Sequence, residues 1–322
     1  MRALTIILLL AHLGPCYAQT HRRVEENNGL IYFSFDNGKT WENKSTGLPD
    51  STTLKSIAAS ESILGISTAK GIYIFDFQKN SWINISGDAQ IMEYNIGALI
   101  FRNNTIYVGT QSAGVFTSID HGKTWAPFNK GLGNLTIRKF EEIDNKLYVG
   151  TNGGLYSFNE ELNKWDSNYT QDGLQVNGMT KYANEMYIGT NQGIFKSSFR
   201  QKGWKQVMAN RSLHNISSDN KAIYAMVYSE LMVSTDKGES WQSIQNGLPS
   251  KLYTFQVIRK GDTIFAGQWD GVYRKDNGNV EWKNSSNGLP GKSAIIRMKI
   301  YKDFLVAGCS ERGLNPGLTP IK

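Results

Sequence analysis

The chain contains little cysteine and little histidine for its length, with two and four of these residues among 322. Cys16 and Cys309 lie at opposite ends of the sequence, so a framework of several disulfides is excluded and stability must come from a buried core. His21, His121 and His214 are far apart along the chain. We therefore predict no metal site, no cofactor and no Cys–His nucleophile pair.

Long apolar runs are also rare, and the one that exists stands at the N-terminus. Arg2 precedes an apolar run over residues 3–13 and a segment of small residues that ends at Ala18. This is the layout of a secretory signal peptide, and the run is too short to span a bilayer. Cys16 gives this segment a faint resemblance to a lipoprotein box, but Pro15 fits that motif poorly. We predict cleavage after Ala18 and a secreted product, extracellular or periplasmic, without a transmembrane segment.

The sequence has no block of basic residues. Lys and Arg number 35 against 28 Asp and Glu, and the formal net charge of +7 is spread along the chain. Nucleic-acid binding requires lysines and arginines that cluster on one face, so we exclude that class of function. We expect a monomer.

Tryptophan, by contrast, recurs with a fixed period. Seven of the eight tryptophans stand 37 to 43 residues apart, at Trp41, Trp82, Trp125, Trp165, Trp204, Trp241 and Trp282. A period near 40 residues is typical of propeller and solenoid repeats. The repeats also contain short β-rich runs beside glycines, as in Gly114-Val115-Phe116, and no helical pattern.

Four short strands in each of seven repeats predict an all-β fold, a seven-bladed β-propeller of four-stranded blades. We label the strands A to D from the central channel outward. The chain begins at Gly29 with a C–D pair and ends near Gly308 with an A–B pair, so the last blade is closed by N- and C-terminal strands. We predict a signal peptide at residues 1–18, a lead-in at 19–28, the propeller at 29–309 and a tail at 310–322.

Three repeats contain a near-complete motif between strands C and D. Its Ser, Asp, Gly and Trp are Ser34, Asp36, Gly38 and Trp41, then Ser118, Asp120, Gly122 and Trp125, then Ser234, Asp236, Gly238 and Trp241. The motif resembles the Asp-box, or BNR repeat, of sialidases, sortilin-type receptors, some xyloglucan-cleaving hydrolases and a photosystem assembly factor. Its carboxylate can accept backbone N–H groups and its glycine can take a positive φ, so we assign it to folding. The resemblance implies a ligand site on the opposite face.

A second motif follows strand D in three repeats, as Gly47-Leu48-Pro49, Gly247-Leu248-Pro249 and Gly288-Leu289-Pro290. It is similar to the propeller repeats of bacterial two-component sensors. This resemblance implies a relative of the ligand-reading part of such sensors.

The ligand site is expected at the channel mouth that the D–A and B–C connections form. Trp269 is the one tryptophan out of period, and it stands between Gln268 and Asp270 in a B–C connection. An exposed indole can stack on a sugar ring while amides and carboxylates bind hydroxyl groups; alternatively, Trp269 covers a loop of its own blade. The long D–A connection with Glu93 and Tyr94 is a second candidate. We predict a glycan or protein ligand at this loop face, without catalysis.

A glycoside hydrolase of sialidase-like or related propeller type is the alternative function. A sialidase holds the substrate carboxylate with three arginines. Four arginines fall near the inner strands or the mouth: Arg138, Arg211, Arg297 and Arg312. The Arg-Ile-Pro signature of that family is missing. A site of two facing carboxylates would draw on Asp50, Asp88, Glu93, Asp172, Asp270 or Glu311.

Overall fold

The structure is a computed structural model that describes residues 28–87, 89–199, 203–228, 230–250, 254–291 and 293–310. The predicted signal peptide, nearly all of the lead-in, Asp88 and the tail from Glu311 and Arg312 onward lie outside these residues, and the expectations for them stay predictions. Within the described residues, no helix has both the length and the apolar character needed to cross a membrane.

Seven four-stranded antiparallel sheets form the predicted propeller. The described chain begins with β1 (Ile31–Ser34) and β2 (Glu42–Asn43). Blade 1 comprises β3 (Leu54–Ala59), β4 (Leu64–Thr68), β5 (Gly71–Asp76) and β6 (Ser81–Asn84). A short 3-10 helix (Ala89–Tyr94) leads to blade 2, which comprises β7 (Ile96–Arg102), β8 (Thr105–Thr110), β9 (Val115–Ser118) and β10 (Ala126–Pro127).

The next four blades repeat this order. Blade 3 comprises β11 (Ile137–Ile143), β12 (Lys146–Thr151), β13 (Gly154–Asn159) and β14 (Lys164–Thr170). Blade 4 comprises β15 (Val176–Tyr182), β16 (Glu185–Thr190), β17 (Gly193–Ser198) and β18 (Lys205–Ala209). Blade 5 comprises β19 (Leu213–Ser218), β20 (Ile223–Val227), β21 (Glu230–Ser234) and β22 (Gln242–Ser243). Blade 6 comprises β23 (Gln256–Lys260), β24 (Thr263–Gln268), β25 (Gly271–Asp276) and β26 (Lys283–Asn284).

The last blade is assembled from both ends of the described chain, as the sequence predicts. Its strands A and B are β27 (Ile295–Tyr301) and β28 (Phe304–Cys309), and β28 pairs antiparallel with β1. In this register Tyr32 lies opposite Ala307, and Phe33 lies opposite Val306. The pairing leaves no open edge between the first and the last strand of the ring.

Glycine at the end of strand B allows neighbouring blades to approach each other. A Cβ atom at Gly109 would lie 2.2 Å from Cγ2 of Ile137, on strand A of the next blade. At Gly150, a Cβ atom would lie 2.7 Å from the carbonyl oxygen of Val176, again on the next blade. Packing between blades thus explains the glycine of the repeated strings Tyr107-Val108-Gly109-Thr110 and Tyr148-Val149-Gly150-Thr151, because only glycine leaves room for the neighbour's strand.

Six of the seven periodic tryptophans, all except Trp241, donate an indole hydrogen bond to the preceding blade. The indole N–H of Trp82 donates to the carbonyl of Lys44 in the preceding blade at 2.6 Å. Trp165 makes the same contact with Phe128 at 2.8 Å, and Trp282 makes it with Ile244 at 2.7 Å. Each of these indoles therefore joins its blade to the one before it.

The Gly-Leu-Pro loops explain why a second motif shares this period. The backbone N–H of Trp82 donates to the carbonyl of Thr46 at 2.8 Å, directly before Gly47. Gly47 has a φ of +89°, and a Cβ atom there would lie 2.3 Å from the carbonyl oxygen of Trp82. Since a side chain fits neither the conformation nor the space, this loop requires glycine.

Candidate functional site

The Asp-box turns use their carboxylates inside the turn. Asp36 Oδ1 accepts from the backbone N–H groups of Lys39 and Thr40 at 3.0 and 2.9 Å, and Oδ2 accepts from the Thr40 hydroxyl at 2.6 Å. Burial alone would raise the pKa of Asp36, but these hydrogen bonds and that from Ser34 lower it to about 2. The carboxylate stays ionised and supports the turn between strands C and D.

The central channel is a cavity of about 1130 Å³, and residues from strand A of all seven blades line it. At the end formed by the A–B turns, the arginines are paired with carboxylates. Arg102 binds Glu142 at 2.9 Å and Glu160 at 2.8 Å, and Arg259 binds Asp219. At this end of the channel, carboxylates of the chain therefore neutralise the charges of Arg102 and Arg259.

At the other end, which the D–A and B–C connections form, the cations that line the channel bind neutral groups. Arg138 donates to Asn177 and, at 2.9 Å, to Asn152. Lys139 Nζ donates to Asn215 Oδ1 at 2.9 Å.

Arg297, on strand A of blade 7, also has neutral partners. Its guanidinium donates to the backbone carbonyls of Lys55 and Ile296 at 3.1 and 2.8 Å. None of the salt bridges in the described part of the chain involves Arg138, Lys139 or Arg297. The mouth therefore presents positive charge that the described chain does not neutralise.

The titration behaviour of the mouth reflects this crowding of positive charge. Burial lowers the pKa of Lys139 to about 8, and the charges of Lys299 and Arg297 act in the same direction, whereas Glu141 opposes them. Burial and the neighbouring charge of Arg138 lower the pKa of His214 to about 4. A bound anion would relieve both effects, because it favours the charged forms.

Two aromatic pairs stand beside the cations. In blade 6, the rings of Trp269 and Phe255 are 5.0 Å apart. In blade 5, those of His214 and Tyr228 are 3.9 Å apart, and Tyr228 is 50% exposed. The mouth therefore combines guanidinium and ammonium groups, amides and aromatic rings on one face.

Comparison with known proteins identifies the repeat. Residues 32–43 match the family profile of the BNR/Asp-box repeat. This segment is an Asp-box. Among curated protein sequences, none matches the chain significantly.

Solved structures share the architecture of this Asp-box propeller at low identity. YCF48 bound to D1 peptide aligns with a TM-score of 0.64 and 13% identity over 84% of this chain and 96% of that one. The extracellular domain of BT3049, assigned to a hybrid two-component system of B. thetaiotaomicron, aligns with 0.63 and 15% over 88% and 41%. A GH74 xyloglucanase from Xanthomonas campestris aligns with 0.61 and 13% over 81% and 52%. These similarities establish a common fold.

The Trp269 loop of the Asp-box propeller lies at the mouth, with its three predicted residues in different environments. Gln268 is fully buried and donates to the hydroxyl of Thr254 at 2.6 Å, so its side chain supports the loop from inside the blade. Trp269 is partly buried, and Asp270 accepts from the hydroxyl of Tyr273 at 3.0 Å. The structure thus leaves Trp269 and Asp270 partly accessible, and Gln268 inaccessible.

The structure separates the remaining predicted residues. Glu93 is exposed on the 3-10 helix, and Tyr94 stacks on Phe116 at 5.4 Å. Arg211 forms a salt bridge with Glu230 at 2.8 Å and is not among the residues that line the channel. Of the four predicted arginines, Arg138 and Arg297 therefore share the channel, and Arg211 stands apart from them.

Sequence reasoning missed Lys139, Lys299 and His214 because strand alternation fails at the mouth. In blade 3 the pairing of strands A and B shifts register between Ile137 and Lys139, and five other blades have an equivalent irregularity in strand A. A β-bulge turns two consecutive residues toward the same side. The adjacent residues Arg138 and Lys139 were the available signal for two cations on the same side of the strand. That interpretation requires knowledge of the β-bulge, because regular alternation would place them on opposite sides.

Proposed function

We propose that this chain is a secreted, non-catalytic binding protein that takes up a protein ligand at the channel mouth formed by the D–A and B–C connections. One observation carries the proposal: at this end Arg138, Lys139 and Arg297, which line the channel, donate to neutral groups of the described chain. At the opposite end Arg102 and Arg259 are paired with carboxylates. Charges that a protein leaves unpaired inside a cavity favour a ligand that completes them.

The side chains at the mouth favour a protein ligand. Aromatic residues and arginine are enriched at the centres of protein interfaces, and amides bind peptide groups as donor and acceptor. Tyr228 and Arg138 supply these groups next to Asn152 and Asn177. The similar propeller YCF48 was solved with a peptide bound, which supports a peptide as the form of the ligand. A glycan is the second candidate, because Trp269 and Asp270 share one accessible loop.

The distribution of carboxylates supports binding over hydrolysis. In the described part of the chain, the carboxylates that line the channel are Glu61, Glu141 and Glu142, and Glu142 is bound to Arg102. A glycosidase requires two carboxyl groups that face each other across the substrate. Asp270, the carboxylate next to Trp269, is held by Tyr273. A glycoside hydrolase remains the competing proposal.

The first test screens the purified protein on a peptide array and a glycan array, with fluorogenic glycosides in parallel. We expect peptide hits, and Tyr228→Ala should weaken their binding about tenfold or more, because the loss of an interface anchor costs more than about 1 kcal/mol. Phe35→Ala is the matched control: Phe35 is 58% exposed on an Asp-box turn, at the opposite end of the blades. Equal losses in the two variants, or turnover of a glycoside by the wild type, would contradict the proposal.

Trp269→Ala separates a ligand contact from a loop support. Because Trp269 is partly buried against Phe255, we expect a moderate loss of stability, below the roughly 3 to 5 kcal/mol of a fully buried aromatic, together with weaker binding to the array hits. Thermal melting and binding are measured on the same preparation. Unfolding of the variant would mean that the indole belongs to the core.

A further inference from the structure

The mouth end of the channel collects positive charge from opposite sides of the ring. Lys139 belongs to strand A of blade 3, and Arg297 and Lys299 belong to strand A of blade 7. All three side chains line the same cavity as Glu141, and in it the charges of Arg297 and Lys299 lower the pKa of Lys139, whereas Glu141 raises it. Three cations therefore share this part of the channel with one carboxylate.

Such an arrangement is costly unless an anion completes it. Removing a cation from water without an opposite charge is unfavourable, and amide or carbonyl oxygens compensate only part of the loss. Lys139 contacts the amide oxygen of Asn215, and Arg297 contacts the carbonyls of Lys55 and Ile296. The excess positive charge in this part of the channel thus favours an anionic ligand.

We propose that the channel between Lys139 and Arg297 binds a carboxylate of an acidic peptide that enters from the mouth. The proposal rests on the proposed function, which supplies the peptide, and it names the chemistry of the group that the ligand inserts. Arginine and lysine both form charge-assisted hydrogen bonds with carboxylates, and arginine can offer two parallel donors.

An acidic peptide fits the channel between Lys139 and Arg297 better than an acidic glycan. The carboxylate of a glutamate side chain stands at the end of a flexible chain, so it can approach Lys139 and Arg297 ahead of the peptide backbone. The carboxylate of a uronic acid is attached directly to the sugar ring, so the whole ring would have to enter. Binding of an acidic glycan is therefore an outcome that the experiment must distinguish.

The test uses an acetylated hexaglutamate amide as the probe and the corresponding hexaglutamine as its uncharged control, with affinities from calorimetry. We expect the wild type to bind hexaglutamate only, and Lys139→Gln and Arg297→Gln each to weaken this binding at least tenfold. Lys181→Gln is the matched control, because Lys181 is also on a strand A but binds Asp144 at the A–B end, at 2.6 Å. It should bind like the wild type.

A second measurement needs no variant. Acylation of Lys139 in the wild type is followed by mass spectrometry between pH 7 and 9, with and without hexaglutamate. The groups that face this amine are Glu141 on its own strand, Asn215 on β19, and Arg297 and Lys299 on β27. A bound carboxylate raises the pKa of Lys139, so acylation should slow at pH 8 and the midpoint of its pH profile should move upward.

The outcomes separate this inference from the proposed function. Unchanged affinity in Lys139→Gln and Arg297→Gln, equal loss in Lys181→Gln, or unprotected Lys139 overturns the inference. If Tyr228→Ala binds its peptide hits normally while Lys139→Gln loses hexaglutamate, the channel site stands and the mouth proposal fails. Selective binding of oligogalacturonate in place of hexaglutamate would overturn the peptide assignment.

Discussion

At the scale of single residues, substitution is most restricted where a loop of one blade contacts the tryptophan of the next blade. Gly47 shows this limit, with its positive φ and with the carbonyl of Trp82 in the space of a Cβ atom. Gly247 has the same φ of +89° and lies equally close to the carbonyl of Trp282. The glycine of the Gly-Leu-Pro motif is therefore explained by the lack of space for a side chain between neighbouring blades.

Gly47→Ala should lower the free energy of unfolding by about 1 to 3 kcal/mol, because the new side chain is strained at this φ and the neighbouring blade must shift. Gly291→Ala is the matched control, since no atom lies within 4 Å of its added Cβ and its φ is not positive. Urea denaturation of the two variants measures the difference. Equal midpoints would show that the loop adapts without cost.

The Asp-box carboxylates make stability dependent on pH. Hydrogen bonds from the Ser240 hydroxyl and the Ser240 backbone N–H lower the pKa of Asp236 from 3.8 to about 2. Because the folded value is below the unfolded one, the stabilisation is complete above about pH 4 and is lost as the pH falls toward 2. Denaturation midpoints of the wild type and Asp236→Ala should therefore converge between pH 5 and pH 2. Parallel profiles would show that the turn contributes no such stabilisation.

At the scale of the strand, the innermost element of each blade has two tasks, since it packs on its neighbours and exposes residues to the channel. The apolar positions of strand A were predictable from the sequence. The Asp-box turns and the strands that close the last blade were also predictable. The bulge next to Ile137 was not, because a register shift leaves no fixed composition. Arg138 and Arg297 could be placed near the mouth from their positions within the repeat. That they share the channel with Lys139 and Lys299 depends on strands of distant repeats that face each other across it.

The outer strands depend on the indole contact between blades. Trp165→Phe keeps an aromatic ring but removes the donor to the Phe128 carbonyl, so we expect a loss of about 1 to 3 kcal/mol. Trp241→Phe is the comparison, because the indole of Trp241 donates to Gly238 in its own turn, at 3.2 Å. We expect a smaller loss in that variant. Thermal unfolding of both would contradict this account if Trp241→Phe were the more damaging change.

At the scale of the whole molecule, no disulfide within the described residues holds the ring together. Cys309 is buried and is the one cysteine of the described residues. Closure depends on β1 against β28, where Ile31 and Tyr32 are fully buried. The seven-fold period made this architecture predictable, since each repeat supplies the same four strands.

Deletion of residues 19–43 should destabilise the whole domain, because it removes strands C and D of blade 7 and exposes the edge of β28. We expect a broad, less cooperative transition at lower temperature in calorimetry. Removal of residues 315–322, a stretch with two prolines and no strand pattern in the sequence, is the control and should change little. A cooperative transition at the wild-type temperature in the first variant would mean that the ring is closed elsewhere.

The closure of blade 7 also sets an order of events during synthesis. The segment Ile31–Ser34 leaves the ribosome before the other described strands, yet its partner strand Phe304–Cys309 emerges after all of them. Blades 1 to 6 each consist of one contiguous stretch and can form as they emerge. The first strand therefore stays without its partner until Phe304–Cys309 is synthesised, and until then its apolar residues are exposed to aggregation.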